Sequence, residues 1–175
     1  MINLDFLFQY FRHPLQMGTF TESSKSLVEA VVEEMKGKTI VELGAGRGPV
    51  TKGILSKLGE DGRLVSFEIN PKLYEQLAMI TDNRFTPVYD SAENFESYIK
   101  GADCIISGLP LTSLKGALRE RVLTICKKYP LFIQYKYANS TKLLEQYFDN
   151  IRLIKVMKNI PPAVVYVCTN DGGGL

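Results

Sequence analysis

The sequence predicts an α/β domain with a mostly parallel, seven-stranded β-sheet and helices on both of its faces. Two observations lead to this fold class. Short apolar runs of strand length alternate with segments of helical periodicity along nearly the whole chain, which is the pattern of parallel strands joined by right-handed helical crossovers. The last two apolar runs are separated by a short turn that contains two prolines, so we expect an antiparallel hairpin at one end of the sheet.

The composition is that of one ordinary globular domain. The chain has 175 residues, of which 45% are hydrophobic and 23% are charged, and a chain of this length folds without a disulfide or a metal. We divide it into an N-terminal amphipathic or lid segment at 1–22, a domain at 23–170 and a flexible tail at 171–175. Cys104 and Cys168 lie in apolar runs, so we expect buried thiols and no metal site.

The charge distribution is uneven. Residues 1–112 carry 11 lysines and arginines against 15 acidic residues, whereas residues 113–158 carry 10 against 3. A basic region predicts a partner that bears phosphate, either a lipid headgroup or a nucleic acid, and the alternative is a solvated surface. No signal peptide and no apolar run of roughly 18 residues are visible. We therefore expect a cytoplasmic protein, with a peripheral position on the inner face of the membrane as a further option.

Two helices are predicted before the first strand. Residues 2–12 form a short helix with a wide apolar face and a narrow polar stripe. The second helix begins near Ser23 or Ser24, because both are good N-cap residues, and Gly37 closes it.

Seven strands follow, each an apolar run of strand length. In chain order they are Thr39–Leu43, Leu64–Ile69, Phe85–Tyr89, Asp103–Ser107, Leu131–Tyr135, Ile151–Met157 and Val164–Cys168. Two of the intervening helices are expected to begin at Pro49 and Pro71, because proline suits the first helical turn and Asn70 is a good N-cap before the second. Two more are expected over about 113–128 and 141–148.

The first strand runs directly into a glycine-rich loop. Gly44, Gly46 and Gly48 occupy alternate positions, which lets the backbone turn tightly and approach a ligand. A dinucleotide-binding loop has the pattern G-x-G-x-x-G, whereas here the third glycine comes one position early and Pro49 follows it. Glu42 would repel a pyrophosphate but could receive an α-ammonium group. A zwitterionic amino-acid ligand therefore fits better than a dinucleotide, and an ordinary strand-to-helix turn is the alternative.

Acidic residues also lie at the ends of the next two strands. Glu68 comes 20 residues after Gly48, where a carboxylate can accept hydrogen bonds from both ribose hydroxyls of a nucleoside. We assign Glu68 and its neighbour Ile69 to a cofactor site. After the third strand, Asp90 could accept from an adenine amino group while the backbone at Ser91 meets the ring. The alternatives are a solvated carboxylate for Glu68 and a helix N-cap for Asp90.

The loop after the fourth strand is expected to face the second substrate. The hydroxyl of Ser107 and the backbone of Gly108 could orient an incoming nucleophile. Tyr135 and Tyr137 lie two positions apart in the fifth strand and so point to one side, where an aromatic face can steady a cationic centre. Core or edge packing is the alternative for both tyrosines. No metal-ligand spacing is present, and no nucleophilic triad can be built around the sole histidine, His13.

Together these residues resemble a known family. The segment from Val41 to Gly48 with Glu68 is similar to the signature of Rossmann-like class I methyltransferases, which use S-adenosyl-L-methionine. Three further segments resemble bacterial phospholipid N-methyltransferases, and the resemblance covers about residues 6–168. These segments are Phe11-Arg12-His13-Pro14 through Gly18-Thr19-Phe20-Thr21-Glu22-Ser23-Ser24, Ser107-Gly108-Leu109-Pro110-Leu111 and Asn159-Ile160-Pro161-Pro162-Ala163.

The resemblance implies N-methylation of a phospholipid amine, with phosphatidylethanolamine as the family's substrate. In that family an N-terminal amphipathic helix docks on the bilayer, a role that residues 2–12 fit, and packing across the cofactor mouth is the alternative. Thr21 would close the pocket, and the basic region 113–158 would attract anionic lipid. Methyl transfer is an in-line displacement that depends on proximity and alignment, so it needs neither a metal nor a nucleophilic triad.

Three other functions stay open. Ribosomal RNA adenine dimethylases also resemble this chain, but they carry Asn-Leu-Pro-Tyr or a close variant after the fourth strand, where the amide and the ring grip a flipped base. Gly108 and Leu111 stand at those positions here, and no segment resembles the C-terminal helical domain expected to hold RNA, so we favour lipid. The remaining alternatives are a small-molecule methyltransferase and a cofactor- or lipid-binding module without turnover.

Overall fold

The computed structural model describes residues 22–136, 141–158 and 162–171. Several predictions concern residues outside these ranges: the helix at 2–12, Thr21, Tyr137, the start of the proline-containing turn at 159–161 and the tail from residue 172 onward. The domain division at residues 22 and 171 therefore stays a prediction.

Strands and helices alternate along the described chain. The strands are β1 (Thr39–Leu43), β2 (Arg63–Phe67), β3 (Phe85–Val88), β4 (Cys104–Ser107), β5 (Leu131–Lys136), β6 (Asn150–Val156) and β7 (Ala163–Thr169). The α-helices are α1 (Glu22–Glu33), α2 (Pro49–Lys57), α3 (Pro71–Leu77), α4 (Gly116–Cys126) and α5 (Thr141–Leu144), and a 3₁₀ helix spans Ala92–Ser97.

The seven strands form one sheet in the order β3-β2-β1-β4-β5-β7-β6. β1 pairs in parallel with β2 and β4, and the parallel pairing continues outward to β3 and β5. β7 then pairs antiparallel with β5, and β6 pairs antiparallel with β7. This confirms the predicted fold class and its C-terminal hairpin. Because the strand order reverses between β1 and β4, a ligand crevice is expected at their carboxyl ends.

Apolar side chains cover both faces of the sheet. One buried cluster joins the sheet to α1 and α2 and includes Val31 and Ile54. The other joins the opposite face to the 3₁₀ helix and α4 and includes Phe95 and Leu123. Alternate residues of a strand point to opposite faces, so the central strands are buried on both sides. The sheet is therefore a rigid base for the loops at its edge.

Local start signals explain where α2 and α3 begin. Gly48 precedes Pro49 with a φ of 83°, and Pro49 opens α2, where its missing N–H costs nothing. At α3 the side chain of Asn70 accepts hydrogen bonds from the backbone of Lys72 at 3.0 Å and Leu73 at 3.2 Å. Both predicted helix starts are confirmed.

Some element boundaries differ from the prediction. β2 ends at Phe67, where its pairing with β3 ends, so Glu68 lies in the following loop. The helix predicted at 113–128 begins only at Gly116, because the chain first forms a turn in which the backbone N–H groups of Ser113 and Leu114 donate to the Pro110 carbonyl. The helix predicted at 141–148 is the single turn α5, and the 3₁₀ helix was not predicted. The predicted burial of Cys104 and Cys168 is confirmed, and the free thiol of Cys126 is buried as well.

Candidate functional site

The glycine-rich loop after β1 has an unusual backbone. The φ angles of Gly44, Gly46 and Gly48 are 75°, 61° and 83°, in the left-handed region that penalises a residue with a Cβ. A Cβ at Gly44 would lie 2.9 Å from the Leu109 side chain, and one at Gly48 would lie 2.7 Å from Ile80. A Cβ at Gly46 would have nothing within 4 Å. The loop is therefore packed at its two ends and faces open space at its centre.

Glu68 fastens the end of β2 to the centre of this loop. Its Oε2 accepts a hydrogen bond from the backbone N–H of Gly46 at 2.8 Å, and its Oε1 accepts one from Asn70 at 2.8 Å. Burial raises the pKa of Glu68 above its ordinary value, although backbone N–H groups oppose this shift. Each carboxylate oxygen can accept two hydrogen bonds. Glu68 can thus hold the loop and accept from a ligand hydroxyl; Ile69, the next residue, is half-buried.

Glu42 lies inside the protein, beneath the loop. Its Oε2 accepts hydrogen bonds from the hydroxyls of Thr51 in α2 and Ser66 in β2, each at 2.6 Å. The side chain is fully buried, and burial raises its pKa to about 7 against the opposing effect of the two hydroxyls. Its Oε1 has no hydrogen-bond partner within the described part of the chain. In this conformation Glu42 therefore joins β1, β2 and α2 rather than presenting a carboxylate to solvent.

Asp90 lies at the start of the 3₁₀ helix. Its Oδ1 accepts hydrogen bonds from the backbone of Ser91 at 2.6 Å and from the Asn94 side chain at 2.9 Å, and its Oδ2 accepts from the Tyr98 hydroxyl at 2.8 Å. The bonds from Asn94 and Tyr98 lower the pKa of Asp90. The N-cap of this helix is Ser91 rather than Asp90, so the alternative N-cap role of Asp90 is wrong, and its contact with an adenine stays a prediction.

The loop after β4 is held by β4 itself and by both neighbouring strands, β1 and β5. The hydroxyl of Ser107 is buried and accepts a hydrogen bond from the backbone N–H of Leu109 at 3.3 Å. Gln134 of β5 donates to the Leu109 carbonyl at 3.1 Å, and the Gly108 N–H donates to the Leu43 carbonyl at 2.9 Å. The Ser107 hydroxyl thus shapes the loop from within.

Tyr135 brings β5 into contact with the same loop. A Cβ placed on Gly108 would overlap the phenol oxygen of Tyr135 and lie 2.7 Å from its Cζ. The three residues predicted to face the acceptor, Ser107, Gly108 and Tyr135, are therefore neighbours at the carboxyl edge, next to the glycine loop.

No protein-family model matches the chain. The chain is 27% identical to an ornithine lipid N-methyltransferase from Singulisphaera acidiphila over 93% of each protein. It is 30% identical to ribosomal RNA small subunit methyltransferase H from Delftia acidovorans, over 61% of this chain but only 31% of that relative. Among solved structures, the N-methyltransferase NodS from Bradyrhizobium japonicum in complex with S-adenosylhomocysteine matches with a TM-score of 0.67, at 12% identity over 85% of this chain and 86% of NodS.

This protein is an S-adenosylmethionine-dependent methyltransferase. The glycine loop and Glu68 fit the cofactor, because the loop backbone is open at Gly46 and the buried carboxylate beside it can accept from hydroxyl groups. The N-terminus of α2 directly follows the loop, where the helix dipole favours an anionic group such as the carboxylate of a methionine moiety.

Sequence reasoning missed three polar residues that hold the candidate site together. Thr51 and Ser66 hold the buried carboxyl of Glu42, and Gln134 holds the loop after β4. Ser66 and Gln134 are polar side chains within otherwise apolar stretches of strand, and that signal could have marked them as part of an internal network. Thr51 is followed by Lys52 in its helix and gives no such signal.

The described residues contain no group of three or more His, Cys, Asp or Glu side chains that could hold a metal ion. None of the helices in the described ranges is both long enough and apolar enough to span a membrane.

Proposed function

We propose that this methyltransferase methylates the amine nitrogen of a lipid headgroup at a membrane surface. The observation that carries the proposal is the similarity to an ornithine lipid N-methyltransferase over 93% of both proteins. A phospholipid amine such as that of phosphatidylethanolamine has the same aliphatic amine chemistry. The substrate must arrive with a free electron pair on nitrogen, because a protonated amine is no nucleophile.

The acceptor side of the site supports an aliphatic amine more than a nucleobase. Leu111 is fully buried, so its side chain is not available to stack on a flipped base. Gly108 carries no amide that could read the edge of a base. At these two positions the chain therefore offers neither of the contacts with which adenine dimethylases are expected to hold a flipped base.

We assign the cofactor to the glycine loop on the other side of the crevice. Gly44, Gly46 and Gly48 would surround the methionine portion, and Glu42 would support its polar end from beneath the loop by tying β1 to α2 through Thr51. The ribose would lie against Glu68 and Ile69, and the adenine beside Asp90 and Ser91. Thr21, which lies outside the described residues, would close the pocket. The cofactor supplies an electrophilic methyl group on a sulfonium; the protein's part is to align it with the acceptor and exclude water.

Basic side chains at the carboxyl edge support a membrane-facing orientation. Lys115 and Lys142 lie at the starts of α4 and α5, which follow β4 and β5. β6 runs in the same direction as β5, so Lys158 also lies beyond a carboxyl end, next to Met157, whose exposed fraction is 68%. These lysines are exposed and would attract anionic lipid near the acceptor side. The helix predicted at 2–12 would add an apolar anchor.

Labelled S-adenosylmethionine decides the substrate class. The protein is incubated with the label and either vesicles of phosphatidylethanolamine and phosphatidylglycerol, ornithine lipid vesicles, or ribosomal RNA. We expect label in an amine lipid and none in RNA. The Delftia relative makes ribosomal RNA the second candidate, and label in RNA alone would establish that candidate and end the lipid proposal.

Alanine at Gly46 should impair cofactor binding more than folding. The added Cβ enters open space, so the folded state loses only about 1 kcal/mol from the left-handed backbone angle, while a cofactor lying against the loop meets the new methyl group. We expect affinity for S-adenosylhomocysteine to fall by roughly tenfold or more in calorimetry. The matched variant Gly48→Ala overlaps Ile80 inside the protein and should lower the melting temperature more. If Gly46→Ala instead kept wild-type affinity and lowered the melting temperature more than Gly48→Ala, the cofactor would not lie against the centre of the loop.

A further inference from the structure

The backbone at position 108 does not require glycine. Within the described ranges, the left-handed φ angles belong to other glycines, three of them in the glycine-rich loop after β1. The φ angle of Gly108 lies outside that left-handed range, so it does not by itself call for glycine. The reason for glycine at this position therefore lies in its surroundings.

The ring of Tyr135 fills the space that a side chain at 108 would occupy. A Cβ there would overlap the phenol oxygen, lie 2.7 Å from Cζ, and lie 3.1 Å from the carbonyl oxygen of Gly44. Gly44 begins the loop after β1 that we assign to the cofactor (the cofactor loop), and Gly108 begins the loop after β4 that we assign to the acceptor (the acceptor loop). The phenol therefore lies where the two loops meet, and under the proposed function a methyl group would pass between them there.

The position of this phenol is set by packing. Tyr135 is half-buried, and its ring packs against the core cluster that joins the sheet to α1 and α2. Its neighbour Gln134 holds the Leu109 carbonyl from the opposite face of β5. β5 thus holds the acceptor loop through Gln134 and places the phenol of Tyr135 beside the same loop.

We infer that Tyr135 is the residue that selects and orients the acceptor, its phenol oxygen accepting a hydrogen bond from an N–H of an aliphatic amine. This inference rests on the proposed function and names the group that would bind the amine of the acceptor. A phenol oxygen is both donor and acceptor, so it can bind the amine whatever other bond it makes. The amine's electron pair then points at the methyl carbon. A nitrogen–carbon bond forms as the carbon–sulfur bond breaks, the electron pair stays on sulfur, and the ammonium product gives a proton to water.

The variant Tyr135→Phe tests the role of the phenol oxygen, because it keeps the ring and removes one atom. With vesicles of the amine lipid that the wild-type protein methylates, kcat/KM should fall by roughly tenfold or more. Affinity for S-adenosylhomocysteine by calorimetry and the melting temperature should stay near wild-type values. A wild-type rate for Tyr135→Phe, or a loss of cofactor affinity as large as the loss of rate, would overturn the inference.

Thermal unfolding tests the packing without any activity. Gly108→Ala should lower the melting temperature in the wild-type protein but lower it less in a Tyr135→Ala background, because the overlapping ring is then absent. Gly116→Ala is the matched control, since a Cβ there has nothing within 4 Å. Equal effects of Gly108→Ala in both backgrounds would show that Tyr135 does not dictate glycine at 108.

The two failures can be told apart. If the wild-type protein labels RNA and no lipid, the proposed function is wrong and the inferred substrate class falls with it. If the wild-type protein labels an amine lipid and Tyr135→Phe does so equally fast, the proposed function stands and only the role of Tyr135 is wrong.

Discussion

Replacing Glu68 by alanine is expected to weaken S-adenosylmethionine binding by at least about 100-fold, because the proposed cofactor placement gives this carboxylate two charge-assisted hydrogen bonds to ribose. The substitution also leaves the N–H groups of Gly46 and Asn70 without the carboxylate that each now contacts at 2.8 Å. The centre of the glycine loop then loses its tie to the end of β2. Calorimetric titration with S-adenosylhomocysteine measures the effect on affinity without turnover.

A matched control separates this role from the loss of one negative charge. Glu75 lies in α3, close in sequence to Glu68, and is exposed, so Glu75→Ala should bind the cofactor like the wild-type protein. Thermal unfolding of both variants reports any loss of the folded state. Wild-type affinity in a folded Glu68→Ala protein would remove Glu68 from the cofactor site.

The sheet could be predicted because its strands carry their signal locally. Thr39–Leu43 was predicted with the bounds that the structure shows, since an apolar run there ends at a glycine. The 3₁₀ helix Ala92–Ser97 could not be predicted in the same way. Phe95 is the buried residue of this helix, and a single buried residue gives the sequence no apolar periodicity. The helix is held by side-chain hydrogen bonds to Asp90 that depend on the folded chain.

In the candidate site, too, features with a local sequence signal could be predicted, and contacts between distant elements could not. The tight turn at the loop glycines could be predicted because alternate glycines let a loop between a strand and a helix turn sharply, and the structure shows their left-handed φ angles. Their assignment with Glu68 to the cofactor stays a prediction. The partners of Glu42 could not, because Thr51 and Ser66 come from two other elements, 9 and 24 residues further along the chain. Tyr135 was predicted as a candidate, but its overlap with position 108 needs the pairing of β4 with β5.

Burial of Glu42 makes the stability of this protein depend on pH in an unusual direction. The pKa of Glu42 rises from an ordinary 4.5 to about 7 in the folded protein, chiefly through burial. Between these two values the unfolded chain has lost the proton that the folded chain keeps. Each pH unit in this interval therefore lowers the free energy of unfolding by about 1.4 kcal/mol through this group, and above pH 7 the loss is complete.

Glu42→Gln should remove this dependence, because the amide copies the shape of the protonated carboxyl and cannot ionise. Relative to the wild-type protein, the variant should gain roughly 3 kcal/mol of stability between pH 4.5 and pH 8. Urea unfolding of both proteins at several pH values gives the difference directly, and Glu60→Gln, an exposed site, should follow the wild-type curve. A constant difference between Glu42→Gln and wild type across this range would show that Glu42 is ionised in the folded protein. The Oε1 that lacks a partner in the described chain would then have to be solvated or paired, and Glu42 would be a carboxylate available to the cofactor's ammonium group.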